Sequence, residues 1–327
     1  MEPSYIIETK SLSKTFPSRG KGGKSFVKAV QGISFGVKTG EIFGLLGPNG
    51  AGKTTTMRML STLLSPTSGA AKLAGFSLLF EQAEIRGRIG YVSQVGGMQR
   101  ETTGRENIVF QARLYGMGKD AAQDRAAELL NLLKLNDFAD RKVATYSGGQ
   151  RRIFDLACGI VHKPEILFLD EPSTGLDPQN RAHVWEQVKA LRDSGTTIFV
   201  TTHYLEEADA LCDRVAIVDG GKIVAIGTPE ELKREVAGDH IRLGFGGAGV
   251  AREAASLLST VSGIRGIDEV DTMIHVHVNR GEEELPRIMK VLHDENLSVT
   301  SIELSRPTLD DVFLKLTGRT LRDSETK

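Results

Sequence analysis

Gly47-Pro48-Asn49-Gly50-Ala51-Gly52-Lys53-Thr54 is the stretch that decides the fold. A glycine, four residues and then Gly-Lys-Thr is the P-loop pattern. Here it follows a short apolar run, Ile42 to Leu46, and opens a helical stretch continuing through Thr55. Glycines let successive backbone N–H groups curl around phosphate oxygens, and the helix start adds partial positive charge. Lys53 is expected to reach the β- and γ-phosphates of a nucleotide, and Thr54 to ligate Mg²⁺.

Such a loop needs a carboxylate for the metal. Ile166-Leu167-Phe168-Leu169-Asp170-Glu171 is an apolar strand ending in two acids, at the edge where parallel sheets bind ligands. Asp170 is expected to hold Mg²⁺ through its water shell, and Glu171 to polarise the attacking water. Further along, Ser147-Gly148-Gly149-Gln150 opens a helix whose apolar positions Ile153, Leu156, Ala157, Ile160 and Val161 share one face. Its serine and glycines form a second anion-binding helix start. One nucleotide does not need two of these, so the site is expected to be completed by a second domain of the same kind.

Strands alternating with helices predict a mostly parallel, helix-covered sheet. Thr102 to about Asp140 reads as a helical insertion, with Thr103 and Glu106 at capping-box spacing. A basic, glycine-rich stretch, Pro17 to Lys24, reads as a solvated hairpin tip between strands at Tyr5–Glu8 and Ile33–Val37. From about His240 the pattern changes to strands at 241–245, 273–278 and 297–304 and helices at 250–261, 282–293 and 309–316. That order predicts a small α+β domain of split βαβ type, with the linker near Ala237-Gly238-Asp239.

Composition narrows the function classes. With 327 residues a main domain and a smaller one are expected, and 41 Lys+Arg against 42 Asp+Glu leave a net charge of -1. That balance gives no general pull toward nucleic acid. No run approaches the roughly 18 apolar residues of a membrane span. Met1-Glu2-Pro3-Ser4 lacks a basic start with an apolar stretch behind it, which predicts no secretory signal. Cys158 and Cys212 read as core residues. His275 and His277 share a strand face, but two ligands without a third read as surface histidines.

In order and spacing these motifs resemble the nucleotide-binding subunit of an ATP-binding-cassette (ABC) transporter over about Tyr5 to Glu235. Tyr146-Ser147-Gly148-Gly149-Gln150 resembles the ABC signature, and Gln94 in Gly90-Tyr91-Val92-Ser93-Gln94 the Q-loop. Asp177 in Thr174-Gly175-Leu176-Asp177 resembles the D-loop, and His203 in Thr201-Thr202-His203 the switch histidine. The resemblance makes Phe16 the aromatic that stacks on adenine. It implies ATP bound by Phe16, the loop Gly47, Pro48, Asn49, Gly50, Ala51, Gly52, Lys53, Thr54 and Thr55, by Asp177, and, from the signature of a second copy, by Ser147, Gly148, Gly149 and Gln150. Glu171, His203 and Gln94 are then catalytic, and Thr54, Gln94 and Asp170 hold the metal.

The implied fold is α/β: a P-loop NTPase cassette over residues 1–238 with a helical subdomain at about 102–162. A ferredoxin-like α+β domain follows at 239–327. Two departures stand out: Tyr146 where Leu is usual, and Ile153 where many members carry Arg. The tail, Pro307 to Arg319, resembles daunorubicin-resistance-type exporters of drugs and lipids. The implied partners are a second copy, as a homodimer, and a separate transmembrane permease holding the chain at the cytoplasmic face of the plasma membrane. No nucleic acid is expected. The rival readings are a soluble ABC ATPase acting on ribosomes or DNA, and an importer ATPase.

Overall fold

The computed structural model describes residues 5–20, 23–234, 239–305 and 307–318. Lys21-Gly22 of the basic stretch, Ala237-Gly238 of the expected linker and Arg319 of the tail lie outside them. The chain divides into two compact units, Met1–Ile226 and Gly227–Lys327. The division precedes the boundary expected at 238/239. The short helix Pro229–Leu232, capped by Thr228, packs with the closing helix Leu309–Thr317 and so goes with the second unit.

In the first unit a six-stranded sheet runs Lys222–Gly227, Arg214–Asp219, Ile42–Leu46, Thr197–Thr202, Ile166–Asp170, Ile89–Val92. The last five pair in parallel. Ile42–Leu46, Ile166–Asp170 and Thr197–Thr202 are buried at every position, which is why they read as unbroken apolar runs rather than alternating ones. A second, antiparallel sheet contains Gly23–Lys38, Tyr5–Gly20, Ser68–Leu73 and Phe76–Ser77. Phe35 from this sheet stacks on Phe43 and Phe199 of the first, with ring centroids 5.3 and 6.0 Å apart. The basic stretch is more ordered than a loop: Pro17 pairs with Phe26 and Arg19 with Lys24, extending both expected strands.

The helical insertion is broken rather than continuous. Helices Gly104–Leu114 and Lys119–Leu132 are separated at Gly116, whose φ of 84° no helix accommodates. The first carries the expected capping box of Thr103 and Glu106. Helix Gly148–Gly159 then returns the chain to the sheet.

The second unit is a four-stranded antiparallel sheet in the order Ile264–Val270, Met273–Val278, Asp239–Phe245, Val299–Ser305. Helices Ala248–Leu258 and Gly281–Asp294 cover an apolar core of Leu243, Val276, Ala254 and Ile288. This β-α-β-β-α-β order is the ferredoxin-like arrangement. Strand Ile264–Val270 was not anticipated; it is an edge strand, and its Arg265, Asp268 and Glu269 erase the apolar signal. His277 pairs with Asp268 at 2.6 Å, and no group of three metal-ligating side chains exists among the described residues. No described helix is long and apolar enough to cross a membrane.

Candidate functional site

Strand Ile42–Leu46 delivers the chain into Gly47, where a Cβ would lie 2.2 Å from the Val218 carbonyl oxygen. Gly52 has a φ of 98°, and its missing Cβ would meet the Ala29 carbonyl oxygen at 2.4 Å. The loop these glycines permit runs into helix Lys53–Leu60, whose first-turn amides are left for an anion. Lys53, only 4% exposed, donates to the carbonyls of Gly47 and Pro48 at 2.7 and 3.0 Å.

Asp170 ends its strand buried. Its carboxylate accepts from the hydroxyls of Thr201 at 2.6 Å, Thr54 at 3.3 Å and Tyr91 at 3.4 Å. Glu171 follows with a φ of 45°, a left-handed conformation that costs a side-chain-bearing residue about 1 kcal/mol or more. Its N–H is held by the carbonyl and hydroxyl oxygens of Thr201, at 3.1 and 3.2 Å.

Four side chains converge on the Glu171 carboxylate. Gln94 Nε2 and Thr174 Oγ donate to Oε2 at 3.1 and 3.2 Å. Lys53 Nζ stands 3.7 Å, and His203 Nδ1 3.2 Å, from Oε1. The His203 contact is close but not aligned as a regular hydrogen bond. Burial pushes the Glu171 carboxyl up, but His203, Lys53 and Thr174 outweigh it and hold it below the usual carboxylate range. Glu171 is therefore a carboxylate at neutral pH.

The Thr54 hydroxyl and the Asp170 carboxylate, 3.3 Å apart, offer oxygen donors, and Gln94 is held at the neighbouring Glu171. These donors suit a hard cation such as Mg²⁺. Phe16 is exposed and pairs with Val27, two residues before the Ala29 that touches Gly52, so it stands on the P-loop's own hairpin.

The signature lies apart from this network. Ser147 caps helix Gly148–Gly159 in a reciprocal box with Gln150, so these two are engaged with each other. At Gly149 a Cβ would fall 2.2 Å from Asn180 Oδ1. Asn180 is itself bound to Asp177, the cap of helix Pro178–Asp193, through its N–H at 2.9 Å and its amide at 2.5 Å. The D-loop and the signature of one chain therefore touch.

Both departures have physical explanations. Tyr146 is buried, stacks on Phe154 at 4.8 Å and donates to the Phe138 carbonyl at 2.6 Å. A Cβ on Gly104 would lie 2.4 Å from its hydroxyl, so the larger ring is matched by a glycine. Tyr146→Leu should therefore lower the unfolding free energy by roughly 1–3 kcal/mol, read by urea denaturation, and leave ATP affinity unchanged. A loss of ATP affinity would contradict this packing role. Ile153 is core, while Arg152 donates to the carbonyls of Ser93, Asp170 and Pro172. Thr201 and Tyr91 also escaped sequence reading, because their partner Asp170 is far away in the chain. Cys212 is buried, and burial pushes both thiols up, Cys158 to about 12, so neither is a thiolate at neutral pH.

Comparison with known proteins points to one family. The ABC transporter family profile matches residues 30–174, and that of the ATP-binding protein DrrA1-3-like C-terminal domain matches residues 227–317. The chain is 40% identical over 324 residues to the daunorubicin resistance ATP-binding protein DrrA2 of Streptomyces coeruleorubidus, spanning 99% of this chain and 98% of that one. It is 37% identical over 320 residues to the linearmycin resistance ATP-binding protein LnrL of Bacillus subtilis, spanning 97% and 100%. A dimeric, post-hydrolysis ATP-binding cassette bound to ADP and Pi matches with a TM-score of 0.61 and 25% identity, over 68% of this chain and 98% of that one.

Proposed function

This chain belongs to the ABC transporter family, and from that premise we propose how it works as the ATP-hydrolysing subunit of an exporter. Two copies close on ATP, and the closure drives a separate membrane subunit. One observation carries the chemistry: the Glu171 carboxylate is held between Lys53, Gln94 and His203 at the end of a buried strand.

The loop amides and Lys53 bind the phosphates, Lys53 exchanging its carbonyl partners for phosphate oxygens, and Phe16 stacks on the adenine. Thr54, Asp170 and Gln94 would hold Mg²⁺, which would neutralise phosphate charge. Glu171 takes a proton from water as the water oxygen bonds to the γ-phosphorus and the bond to the bridging oxygen breaks, releasing ADP and phosphate. His203 orients Glu171 and the γ-phosphate. Ser147, Gly148 and Gly149 meet the γ-phosphate of the other copy, with Gln150 and Asp177 beside them; a similar ATP-binding cassette that is dimeric with ADP and Pi bound supports a two-copy assembly.

Around Gln94 the surface suits a membrane partner. A cavity of about 290 Å³ is lined by Tyr91, Ser93, Gly96, Phe110 and Tyr115. Val95, Leu114 and Phe110 beside it are 90%, 65% and 50% exposed. Apolar exposure of this kind marks an interaction surface. There the permease subunit docks and holds the chain peripherally at the cytoplasmic face of the membrane. Drug or antibiotic export is the reading supported by the resistance relatives. Affinity purification of the tagged chain from detergent-solubilised membranes should recover a multispan membrane protein. Recovery only with ribosomes or DNA would sink the transporter reading.

A further inference from the structure

Arg152 sits one helical turn beyond Gly149 and is 6% exposed. Its guanidinium spends its hydrogen bonds on three main-chain oxygens in two other segments. Nε donates to Pro172 at 2.8 Å, Nη2 to Asp170 at 3.1 Å and Nη1 to Ser93 at 2.6 Å. Residues 170 and 172 flank Glu171, and Ser93 precedes Gln94. The fork therefore grips the chain on both sides of the carboxylate and just before the glutamine that bonds to it.

We infer that Arg152 is a positioning residue for ATP hydrolysis, a clamp that makes the signature helix, the Glu171 turn and the Gln94 segment move as one body. Three features support this. The guanidinium is planar and presents donors in fixed directions, so it constrains the relative placement of all three carbonyls; a lysine ammonium is a single point on a flexible stem. The Glu171 backbone occupies a left-handed conformation that persists only where its surroundings over-determine it. The helix carrying Arg152 is the one whose start, in the proposed dimer, meets the other copy's nucleotide. Closure on that nucleotide is then transmitted through Arg152 to the general base of the chain's own site.

The inference rests on the ATP-hydrolysing reading, and its test separates the two. Steady-state ATPase rates, ATP affinity of the isolated chain and unfolding temperature would be measured for wild type, Arg152→Lys and Arg152→Met. We expect kcat to fall about tenfold in Arg152→Lys and on the order of a hundredfold in Arg152→Met, with ATP affinity and KM within about twofold of wild type. Removing the guanidinium also strips a counter-charge from the fully buried Glu207, which by itself destabilises. Arg152→Met/Glu207→Gln is therefore included, and is expected to regain unfolding temperature without regaining kcat. Recovery of both would reduce Arg152 to a counter-charge and overturn the inference. Wild-type kcat in Arg152→Lys would overturn it independently, whatever the stability of the other variants. Absence of ATP turnover in the wild type would instead overturn the ATPase reading, and the inference with it.

Discussion

Glu171→Gln should bind ATP normally and hydrolyse it about 10²–10⁴-fold more slowly than wild type. The substitution preserves the shape of the side chain but removes the lone-pair basicity that accepts the water proton. Glu171 is ionised because His203, Lys53 and Thr174 together overcome its burial, so the carboxylate stands ready at neutral pH. With ATP uncleaved, the closed dimer should accumulate. Phosphate release at saturating ATP measures the first effect and gel filtration with and without ATP the second. Turnover within tenfold of wild type would remove Glu171 as the base.

Gly149→Ala should abolish most hydrolysis while sparing ATP binding by the isolated chain. The added methyl meets Asn180, which is already tied to Asp177, so either the signature start or the D-loop must shift. Misplacement on that scale costs on the order of a hundredfold in rate. Alanine favours a helix over glycine by about 1 kcal/mol, so the loss cannot be assigned to a weaker helix. The sharper result comes from mixing this variant with Lys53→Ala. Each is inactive alone, but a mixed dimer joins the intact P-loop of one copy to the intact signature of the other. Random pairing makes half the dimers mixed with one of two sites complete, so about a quarter of wild-type activity should return. A mixture as inactive as its components would exclude a homodimer with shared sites.

The sequence made the phosphate loop legible because each constraint there is local. Gly47 and Gly52 stand where a Cβ collides with a neighbouring carbonyl, and such positions leave a glycine in the sequence. The two acids after Ile166–Leu169 were legible for a similar reason, since a buried parallel strand is an apolar run that ends abruptly. Thr201 was not. It matters because the sheet register places it opposite Asp170, a pairing that only the folded chain creates. Arg152 was not legible either: only its three carbonyl partners, all distant in the chain, show that it faces inward. In the second unit the charged edge strand Ile264–Val270 carries no apolar alternation, so its neighbours revealed the domain and it did not. The unit boundary was hidden because a capped turn at Thr228 looks the same whichever core it joins.

The left-handed backbone at Glu171 has an evolutionary consequence. Glycine is the residue that adopts a φ of 45° freely, so the substitution that most relaxes this turn is also one that deletes the base. Selection for stability alone would push position 171 toward inactivity. A descendant released from transport would lose its chemistry here before it lost its fold, and could persist as a well-folded cassette that binds ATP and no longer spends it.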